Sequence, residues 1–289
     1  MSQQVFLLLP VHNRKEVTSE LIQCLLHQTY QNYSLVLIDD GSTDGTAEMV
    51  SQAIPGVVVI RGAGDWWWGG SLQRGFDWLT QVDPDEESVV LIMNDDTKFG
   101  ADFLKAGVDA LRRNPRSLLL SRIHDETSGQ VVESAVHADL RKLVFRVARN
   151  SEEINCLSTR GLFLSWGHMK KIGGFHPRLL PHYWSDYEYS IRAHRKGFAC
   201  VTDPEVVLTP DWSITGNRNV EHLSGWKFIQ TLFSRKTIAN PIYKTAFVVL
   251  AVPGRWMFPN IIRIWSRVLV DVVSKGVVRP LLVLFRLGP

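Results

Sequence analysis

The sequence has few cysteines and no long uninterrupted apolar segment. Its 289 residues include only Cys24, Cys156 and Cys200, which lie far apart and form no CxxC pair. We therefore expect neither a disulfide framework nor a structural zinc site, and a reducing cytoplasm fits this composition. No stretch reaches the roughly 18–20 apolar residues of a membrane-spanning helix. The N-terminal segment also lacks the basic start and apolar run of a secretory signal.

Two nucleotide-binding signatures are missing from the loop after the first apolar segment. Residues 10–15 read PVHNRK and contain no glycine. The GxGxxG pattern of dinucleotide-dependent dehydrogenases is absent there, which argues against that class. The glycine- and arginine-rich loop expected of a nucleotidyltransferase is absent as well.

Acidic residues are nearly absent from the last fifty positions. Residues 240–289 contain seven basic residues and one acidic residue, Asp271, so the segment carries +6 while the whole chain carries +3. Within it, Arg263, Arg267, Asp271 and Lys275 recur at every fourth position among apolar residues. This spacing predicts an amphipathic helix with one charged stripe, broken by Gly276 and Pro280. The positive charge favours a helix lying on an anionic membrane surface; the alternative is packing on the rest of the chain or on a second subunit.

Apolar runs and helical spacings alternate through the first hundred residues. We predict strands at 5–10, 34–40, 57–60 and 88–95, and helices at 15–28, from Thr43 or Asp44 to about 53, and at 70–80. This order is typical of an α/β fold with a doubly wound, mostly parallel sheet and helices on both faces. Residues 118–165 suggest an antiparallel portion. Helices at 165–175 and 184–198 and a strand at 199–208 are then expected.

Polar residues follow the predicted strands at the edge where ligands bind in such sheets. Asp39-Asp40 ends the second strand, and a carboxylate there can accept a ribose hydroxyl or a base N–H. Asn94-Asp95-Asp96 ends the fourth strand and offers the oxygen ligands that Mg²⁺ and Mn²⁺ prefer. An ordinary strand-to-helix turn and a solvated acidic turn are the alternatives for these two segments.

Two further segments contain side chains that could take part in catalysis or binding. Asp186 and Glu188 begin a predicted helix, and one of them could take a proton from a hydroxyl; at i, i+2 they face different ways, and a helix start favours acidic residues in any case. Trp66, Trp67 and Trp68 are adjacent. They cannot all face the core, so at least one should lie at the rim, where its ring could stack on a base or a sugar.

Six segments together resemble glycosyltransferase family 2, in that family's order, over about residues 5–210. They are LLPVHNR (8–14), VLIDDGSTDGT (36–46), WWGGSLQRG (67–75), LIMNDDT (91–97), KKIGGFHPRL (170–179) and WSDYEYSIRAHRKG (184–197). The resemblance implies the GT-A fold, with rhamnosyltransferase-like bacterial members as the nearest pattern. It also implies a catalytic domain at 1–220, with a nucleotide-binding half at about 1–100 and an acceptor-binding half at about 101–220. A helical, basic, membrane-associating region at 221–289 is expected to follow, and its residues 241–289 lie outside the resemblance.

The resemblance also assigns site residues. It implies that the nucleotide sugar is bound by Pro10, Val11, Asn13, Asp39, Asp40, Ser42, Trp68, Gly69, Gly70, Gln73, Asn94 and Asp95. Asp96 would be the direct ligand of a divalent metal, Mn²⁺ or Mg²⁺. Many relatives add a histidine after the last core strand; none follows here, and Asp211 could replace it. Asp186 falls on the usual base of inverting members, but Ser185 precedes it instead of Glu, which keeps Glu188 as the alternative.

The implied function is an inverting, metal-dependent transfer of a sugar from a UDP- or dTDP-type donor to a hydroxyl. The acceptor would be a glycan or lipid-linked molecule of bacterial surface polysaccharide assembly, and no nucleic acid is expected as a partner. The expected location is cytoplasmic and peripheral, on the inner face of the plasma membrane. The alternative is a non-catalytic nucleotide-sugar-binding or scaffold protein on the same fold.

Overall fold

A computed structural model describes residues 3–125, 128–212, 220 and 222–278 of the chain. Its apolar strands form a mixed sheet. The strands in these ranges are β1 (Val5–Val11), β2 (Tyr33–Asp39), β3 (Val58–Arg61), β4 (Val89–Ile92), β5 (Thr97–Phe99), β6 (Ser117–Asp125), β7 (Gln130–Val132), β8 (Val136–Asp139), β9 (Val144–Val147), β10 (Leu162–Ser165) and β11 (Ala199–Pro210). The main sheet has the order β3-β2-β1-β4-β10-β6-β11-β5, and β7 pairs with β6. A separate hairpin joins β8 to β9.

Helices connect these strands. They are α1 (Lys15–Leu26), α2 (Thr46–Ala53), α3 (Trp67–Val82), α4 (Phe103–Arg113), α5 (Trp166–Ile172), α6 (Ser185–Arg195), α7 (Gly225–Leu232), α8 (Pro241–Ala251) and α9 (Gly254–Asp271). The predicted helices and strands of the first hundred residues are confirmed, with ends that differ by a few residues. Helix α2 starts later than predicted, because Gly45 is its N-cap while the Asp44 carboxylate accepts the Thr46 N–H.

The first half of the sheet is parallel, as predicted, and the second half is mixed. Strands β3, β2, β1 and β4 run parallel, whereas β10 is antiparallel to both β4 and β6. Alternate residues of each strand face opposite sides. Leu8 of β1 packs with α3, α5 and α6 on one face, and Leu7 of β1 packs with α1, α2 and α4 on the other. The sheet therefore has helices on both faces.

The C-terminal helices pack on the body through one side. A third apolar cluster joins Ile191 of α6 to Phe247 and Val248 of α8 and to part of α9. Asn260 of α9 is buried and donates to the carbonyl oxygen of Leu140, beside the β8–β9 hairpin. The part of residues 221–289 that the structure describes is thus mostly helical and packs against α6 and the β8–β9 hairpin.

Two of the charged residues predicted as one stripe, Arg263 and Lys275, contact neighbouring parts of the chain, whereas the Arg267 side chain is 86% exposed. Arg263 donates to the carbonyl oxygen of Lys142 at 3.0 Å, and Lys275 lies 3.6 Å from Asp271 and over the Phe228 ring. Helix α9 gives way to a π-helical segment, Val272–Val278, that runs through Gly276, so the predicted break at Gly276 is wrong and the α-helix ends earlier. Pro280 lies outside the described residues.

A second stripe of α9 is apolar and exposed. Phe258, Ile262, Trp265 and Leu269 follow one another at i, i+4, i+7 and i+11 and are 68%, 52%, 41% and 66% exposed. We call these four side chains the α9 apolar stripe. Within the described ranges, no helix combines the length and apolar character needed to span a membrane.

Candidate active site

The ends of β1 and β2 are joined by side-chain hydrogen bonds. Pro10 and Val11 are the last residues of β1, and Val11 pairs with Asp39 in the parallel register. The Asn13 Oδ1 atom accepts the Thr43 N–H at 2.7 Å, and the Asn13 N–H donates to the Ser42 hydroxyl at 2.9 Å. The first two predicted nucleotide loops therefore form one connected rim.

Asp39 is buried at this rim. Its Oδ1 atom accepts the Ser42 N–H at 2.8 Å, and its Oδ2 atom lies 3.7 Å from the Arg61 guanidinium at the end of β3. Arg61 is itself well exposed and also pairs with Glu48 at 2.9 Å. The ion pair at Oδ2 is long and its partner is exposed to solvent, so Asp39 retains an acceptor oxygen for a ligand N–H.

Asp40 supports the third loop. Its carboxylate accepts the backbone N–H groups of Gly64, Trp66 and Trp67 at 2.9–3.0 Å. Trp67 has a φ of +59°, which costs a residue with a Cβ of the order of 1 kcal/mol or more. The bond from the Trp67 N–H to Asp40 helps hold that conformation. Asp40 was predicted to bind nucleotide; the structure gives its carboxylate oxygens to the loop that carries the tryptophans.

The three tryptophans have different environments. Trp66 and Trp68 pack against the core, and the Trp68 indole N–H donates to the Thr159 hydroxyl at 3.1 Å. Trp67 instead meets His182 edge-to-face, with ring centroids 5.6 Å apart. The Trp68 ring is therefore held by the protein, and Trp67 is the tryptophan directed to the 182–186 segment.

The start of α3 is pressed against the segment that precedes α6. The Gly69 N–H donates to the carbonyl oxygen of Pro181 at 2.8 Å, and a Cβ at Gly69 would collide with the carbonyl oxygen of Leu180. Gly70, also buried, lies against Trp66. Glycine is required at 69 because only a bare backbone permits this approach.

Gln73 does not face the rim with free polar groups. Its amide nitrogen donates to Asp77 at 2.7 Å, and its amide oxygen accepts the Phe175 N–H at 2.6 Å. Both ends of the amide are therefore used by the protein. Gln73 was predicted to contact the nucleotide, and the structure shows its amide positioning the Gly174-Phe175 turn.

Two arginines surround the acidic end of β4. Asp95 and Asp96 are each 7% exposed and follow Asn94, whose carbonyl oxygen accepts the Thr97 hydroxyl. The Arg14 Nε atom lies 2.8 Å from Asp95, and the Arg160 Nη2 atom lies 3.7 Å from Asp96. Burial raises the pKa of Asp95 to about 7, with Arg14 opposing the shift.

Asp96 retains unsatisfied acceptor capacity. Its Oδ1 atom is buried and has no hydrogen-bond partner within the described structure, since the Arg160 Nη2 atom at 3.7 Å is an ion-pair neighbour only. The Arg14 Nη2 atom lies 3.6 Å from the other oxygen, Oδ2. The Asp211 N–H donates to the Asp96 carbonyl oxygen at 2.8 Å, which places Asp211 at the same end of the sheet. Across the ranges that the structure describes, no three His, Cys, Asp or Glu side chains converge on one point as metal ligands.

Asp186 occupies the first turn of α6. Its Oδ1 atom accepts the Tyr187 N–H at 2.8 Å. Desolvation raises the pKa of Asp186 to about 6, and the Arg160 guanidinium, together with backbone N–H groups, opposes the shift. Arg160 thus acts electrostatically on both Asp96 and Asp186. It also lies over the Trp212 ring, 5.0 Å from its centroid.

Glu188 has a different environment from Asp186. It is 1% exposed, and both of its oxygens accept from Arg192, at 2.7 and 3.0 Å. Arg192 also donates to the carbonyl oxygens of Ile172 and Gly174. The pair ties α6 to the end of α5 and leaves Glu188 with a structural partner on each oxygen.

Comparison with known proteins identifies the family. The family model described as "Glycosyl transferase family 2" matches residues 7–146. The chain therefore carries a glycosyltransferase family 2 segment at residues 7–146. The matched residues contain the rim formed by β1, β2 and β4, including Asp39 and Asp96, so the family assignment and the site concern the same part of the molecule.

Relatives agree with this assignment. An N-acetylglucosaminyl-diphospho-decaprenol L-rhamnosyltransferase of Mycobacterium tuberculosis is 25% identical over an alignment of 223 residues. The match covers 68% of this chain and 72% of that protein. The glycosyltransferase GlyG of Streptococcus pneumoniae is 39% identical over 49 residues. That second match covers 17% of this chain and spans only 16% of the length of GlyG.

The fold is confirmed by solved structures. The mannosyltransferase PcManGT from Pyrobaculum calidifontis, in complex with GDP-Man and Mn²⁺, superposes over 99% of this chain and 79% of its own, with a TM-score of 0.54 and 17% identity. The predicted GT-A fold is thus correct. Arg14 and Arg160 are site residues that sequence reasoning missed. Arg14 closes a family motif and could have been noticed, whereas nothing around Arg160 distinguishes it.

Proposed function

We propose that this glycosyltransferase moves a sugar from a nucleoside diphosphate sugar to a hydroxyl group, with inversion at the anomeric carbon. The acceptor class that we propose is a glycan or lipid-linked molecule of bacterial surface polysaccharide assembly. The observation that carries the proposal concerns Arg160, whose guanidinium lies 3.7 Å from Asp96 and whose charge also opposes the raised pKa of Asp186. A group that binds the leaving diphosphate and a group that activates the acceptor must be neighbours in such a reaction.

The donor would lie across the rim. Asp39 supplies the acceptor oxygen for a base N–H, beside the Asn13–Ser42 connection. A uracil or thymine base, each with one N–H on its pairing edge, fits a single carboxylate contact, so UDP and dTDP donors are proposed. PcManGT was solved with GDP-Man, and GDP therefore belongs in any test of the base.

A divalent ion fits the residues at the end of β4. The buried Oδ1 atom of Asp96 has no hydrogen-bond partner in the described structure, Asp95 is adjacent, and Asp211 is joined to the Asp96 backbone. Hard oxygen donors of this kind suit Mn²⁺ or Mg²⁺, which take their remaining ligands from water and phosphate. A bound ion would act as a Lewis acid that neutralises charge on the departing diphosphate. Asp96 is the proposed direct ligand and Asp211 the proposed additional one.

Asp186 is the proposed base. Its pKa of about 6 leaves it ionised at neutral pH and basic enough to accept a proton in the transition state. The acceptor hydroxyl gives its proton to Asp186 as its oxygen bonds to the anomeric carbon. The bond between that carbon and the diphosphate oxygen breaks, and the nucleoside diphosphate leaves. Glu188, with both oxygens held by Arg192, is proposed to position α6 rather than to react.

Activity against a panel of donors tests the proposal. UDP, dTDP and GDP sugars are added with and without Mn²⁺, and donor hydrolysis and thermal stabilisation are both recorded, because a bound ligand raises the apparent stability. We expect metal-dependent stabilisation by at least one nucleotide and slow release of its diphosphate. If no donor produces either effect, the result favours the alternative of a scaffold protein.

We also propose that the α9 apolar stripe contacts an anionic membrane. Trp226 of α7 and Ile242 and Val249 of α8 are similarly exposed, at 69%, 54% and 54%. Residues 222–278 contain eight basic residues against one acidic residue, Asp271. Apolar side chains combined with positive charge are typical of interfacial helices. This placement would put the protein on the cytoplasmic face of the membrane, near a lipid-linked acceptor.

Vesicle sedimentation tests the membrane contact. Vesicles with anionic headgroups should carry the protein down, and Trp265→Ser combined with Leu269→Ser should reduce binding at least several-fold, because each buried CH₂ contributes about 0.8 kcal/mol. Val82→Ser combined with Val131→Ser is the control, since both residues are comparably exposed elsewhere. Equal loss in both double variants would contradict the proposal.

A further inference from the structure

A pair of cations without carboxylate partners lies beside Trp67. The Arg235 guanidinium is 6.0 Å and the Lys236 ammonium 5.8 Å from the centre of the Trp67 ring. Both side chains are exposed, and no carboxylate of the described structure lies within salt-bridge distance of either. Two positive charges near one aromatic ring, neither neutralised by a described carboxylate, favour the binding of an anion beside that ring.

His182 lies at the same place. Its ring meets Trp67 edge-to-face, and its Nδ1 atom is buried with no hydrogen-bond partner among the described residues. Desolvation, with the Lys236 charge added to it, lowers the pKa of His182 to about 4, so the imidazole is neutral at physiological pH. A neutral imidazole can exchange a hydrogen bond with a hydroxyl group.

The cluster is held against the start of α6. The Ser185 hydroxyl donates to the His182 carbonyl oxygen at 2.8 Å, and the Trp184 indole donates to the Ile238 carbonyl oxygen at 3.0 Å. The 235–238 segment is thereby tied to the turn that carries Asp186. Trp67 and Trp184 both have positive φ, at +59° and +73°. Strain of this kind is maintained only where surrounding contacts fix it, and it concentrates at functional sites.

From this arrangement we infer that Trp67, His182, Arg235 and Lys236 form a phosphate subsite for the acceptor. The inference rests on the function proposed above. The two cations bind the phosphate or diphosphate that links the acceptor sugar to its lipid, Trp67 lies against the apolar face of that sugar, and His182 bonds one of its hydroxyls. Its cations differ from those that pair with Asp95 and Asp96, which are Arg14 and Arg160.

Binding of geranyl diphosphate tests this assignment. Titration calorimetry is performed in the presence of saturating Mn²⁺ and of the nucleoside diphosphate that stabilises the protein, so that the donor site is filled before the probe is added. Geraniol serves as the uncharged probe and inorganic phosphate as the free anion. We expect geranyl diphosphate to bind clearly more tightly than either. In Arg235→Gln combined with Lys236→Gln its Kd should rise at least about tenfold, because both charge-assisted contacts to the diphosphate are lost.

Lys227→Gln combined with Arg255→Gln is the matched control. It removes the same charge from two basic positions outside the cluster, on α7 and α9. The control should bind geranyl diphosphate like the unaltered protein, and both double variants should keep the wild-type affinity for nucleotide. Equal weakening in both variants would overturn the subsite, as would inorganic phosphate binding as tightly as geranyl diphosphate.

Nucleotide affinity separates the remaining outcomes. A loss of nucleotide binding in the Arg235, Lys236 double variant would assign these cations to the donor and overturn the inference. An unaltered protein that binds no nucleotide at all would refute the proposed function instead, which is a separate result.

Discussion

Exchanging each carboxylate of α6 for its amide should separate a structural acid from a reacting one. Glu188 is buried and paired with Arg192 through two bonds, and Arg192 is further fixed by two carbonyl oxygens. Glu188→Gln leaves that guanidinium without its counter-charge, which typically costs about 3–5 kcal/mol. The entropy of unfolding is about 0.6 kcal/mol/K for 289 residues, so Tm should fall by about 5–8 °C.

Asp186→Asn should act in the opposite way. Its one oxygen bonded to the Tyr187 N–H is retained by the amide. The pKa of Asp186 is raised in the folded protein, so the free energy of unfolding falls as pH rises from about 4 to 6 and this carboxylate ionises. The amide of Asp186→Asn does not titrate, so the variant lacks this loss of stability. Tm at pH 7.5 should therefore stay the same or increase, while transfer falls by about 10²–10⁴-fold.

The assay combines differential scanning fluorimetry with transfer rates expressed per folded molecule. Asp109→Asn is the control for an i, i+4 pair, because Asp109 and Lys105 lie 3.3 Å apart on the surface of α4, where such pairs contribute about 0.3–0.5 kcal/mol. A Glu188→Gln protein with unchanged Tm and no transfer would make Glu188 the base. That result would refute the reasoning from burial and pairing.

Three further outcomes follow from the same geometry. The value of kcat/KM should fall below pH about 6 as Asp186 takes up a proton. Arg160→Gln should move this acidic limb to higher pH, because a positive charge that opposes the raised pKa of Asp186 is lost. A limb at unchanged pH would contradict this electrostatic link. Asp96→Ala should abolish the Mn²⁺-dependent stabilisation by nucleotide, measured by thermal shift, without lowering the Tm of the free protein. Asp40→Ala removes the acceptor of three loop N–H groups and should cost about 3 kcal/mol in urea denaturation; a loss below 1 kcal/mol would show that the loop holds itself.

The parallel half of the sheet could be predicted because each of its strands is an apolar run followed by a polar turn. The period of the sequence fixes such elements locally, and their carboxyl ends must meet at one edge. Asp39, Asp95 and Asp96 were therefore found from sequence. Strands β5, β7, β8 and β9 are three or four residues long and partly exposed. Segments of that length carry too little pattern to be placed individually.

Roles within the site depend on partners that are distant in sequence. Gln73 meets Phe175, 102 residues away, and Asp40 meets the loop that begins 24 residues later. Both residues match family motifs, and the side chains of both form hydrogen bonds to other parts of the protein that sequence order does not show. A motif therefore identified the correct region while leaving open which of its side chains remain available to a ligand.

Arg160 shows why electrostatic roles were the hardest to predict. It lies next to no motif, yet its guanidinium is 3.7 Å from Asp96 and also lowers the proton affinity of Asp186. The acidic strand end would be costly to bury unpaired, so some cation had to approach it. Burial and charge thus require a partner without specifying its position in the chain. Because one guanidinium serves both carboxylates, any ligand that draws Arg160 toward Asp96 weakens its hold on Asp186 and raises the basicity of the group proposed to accept the proton.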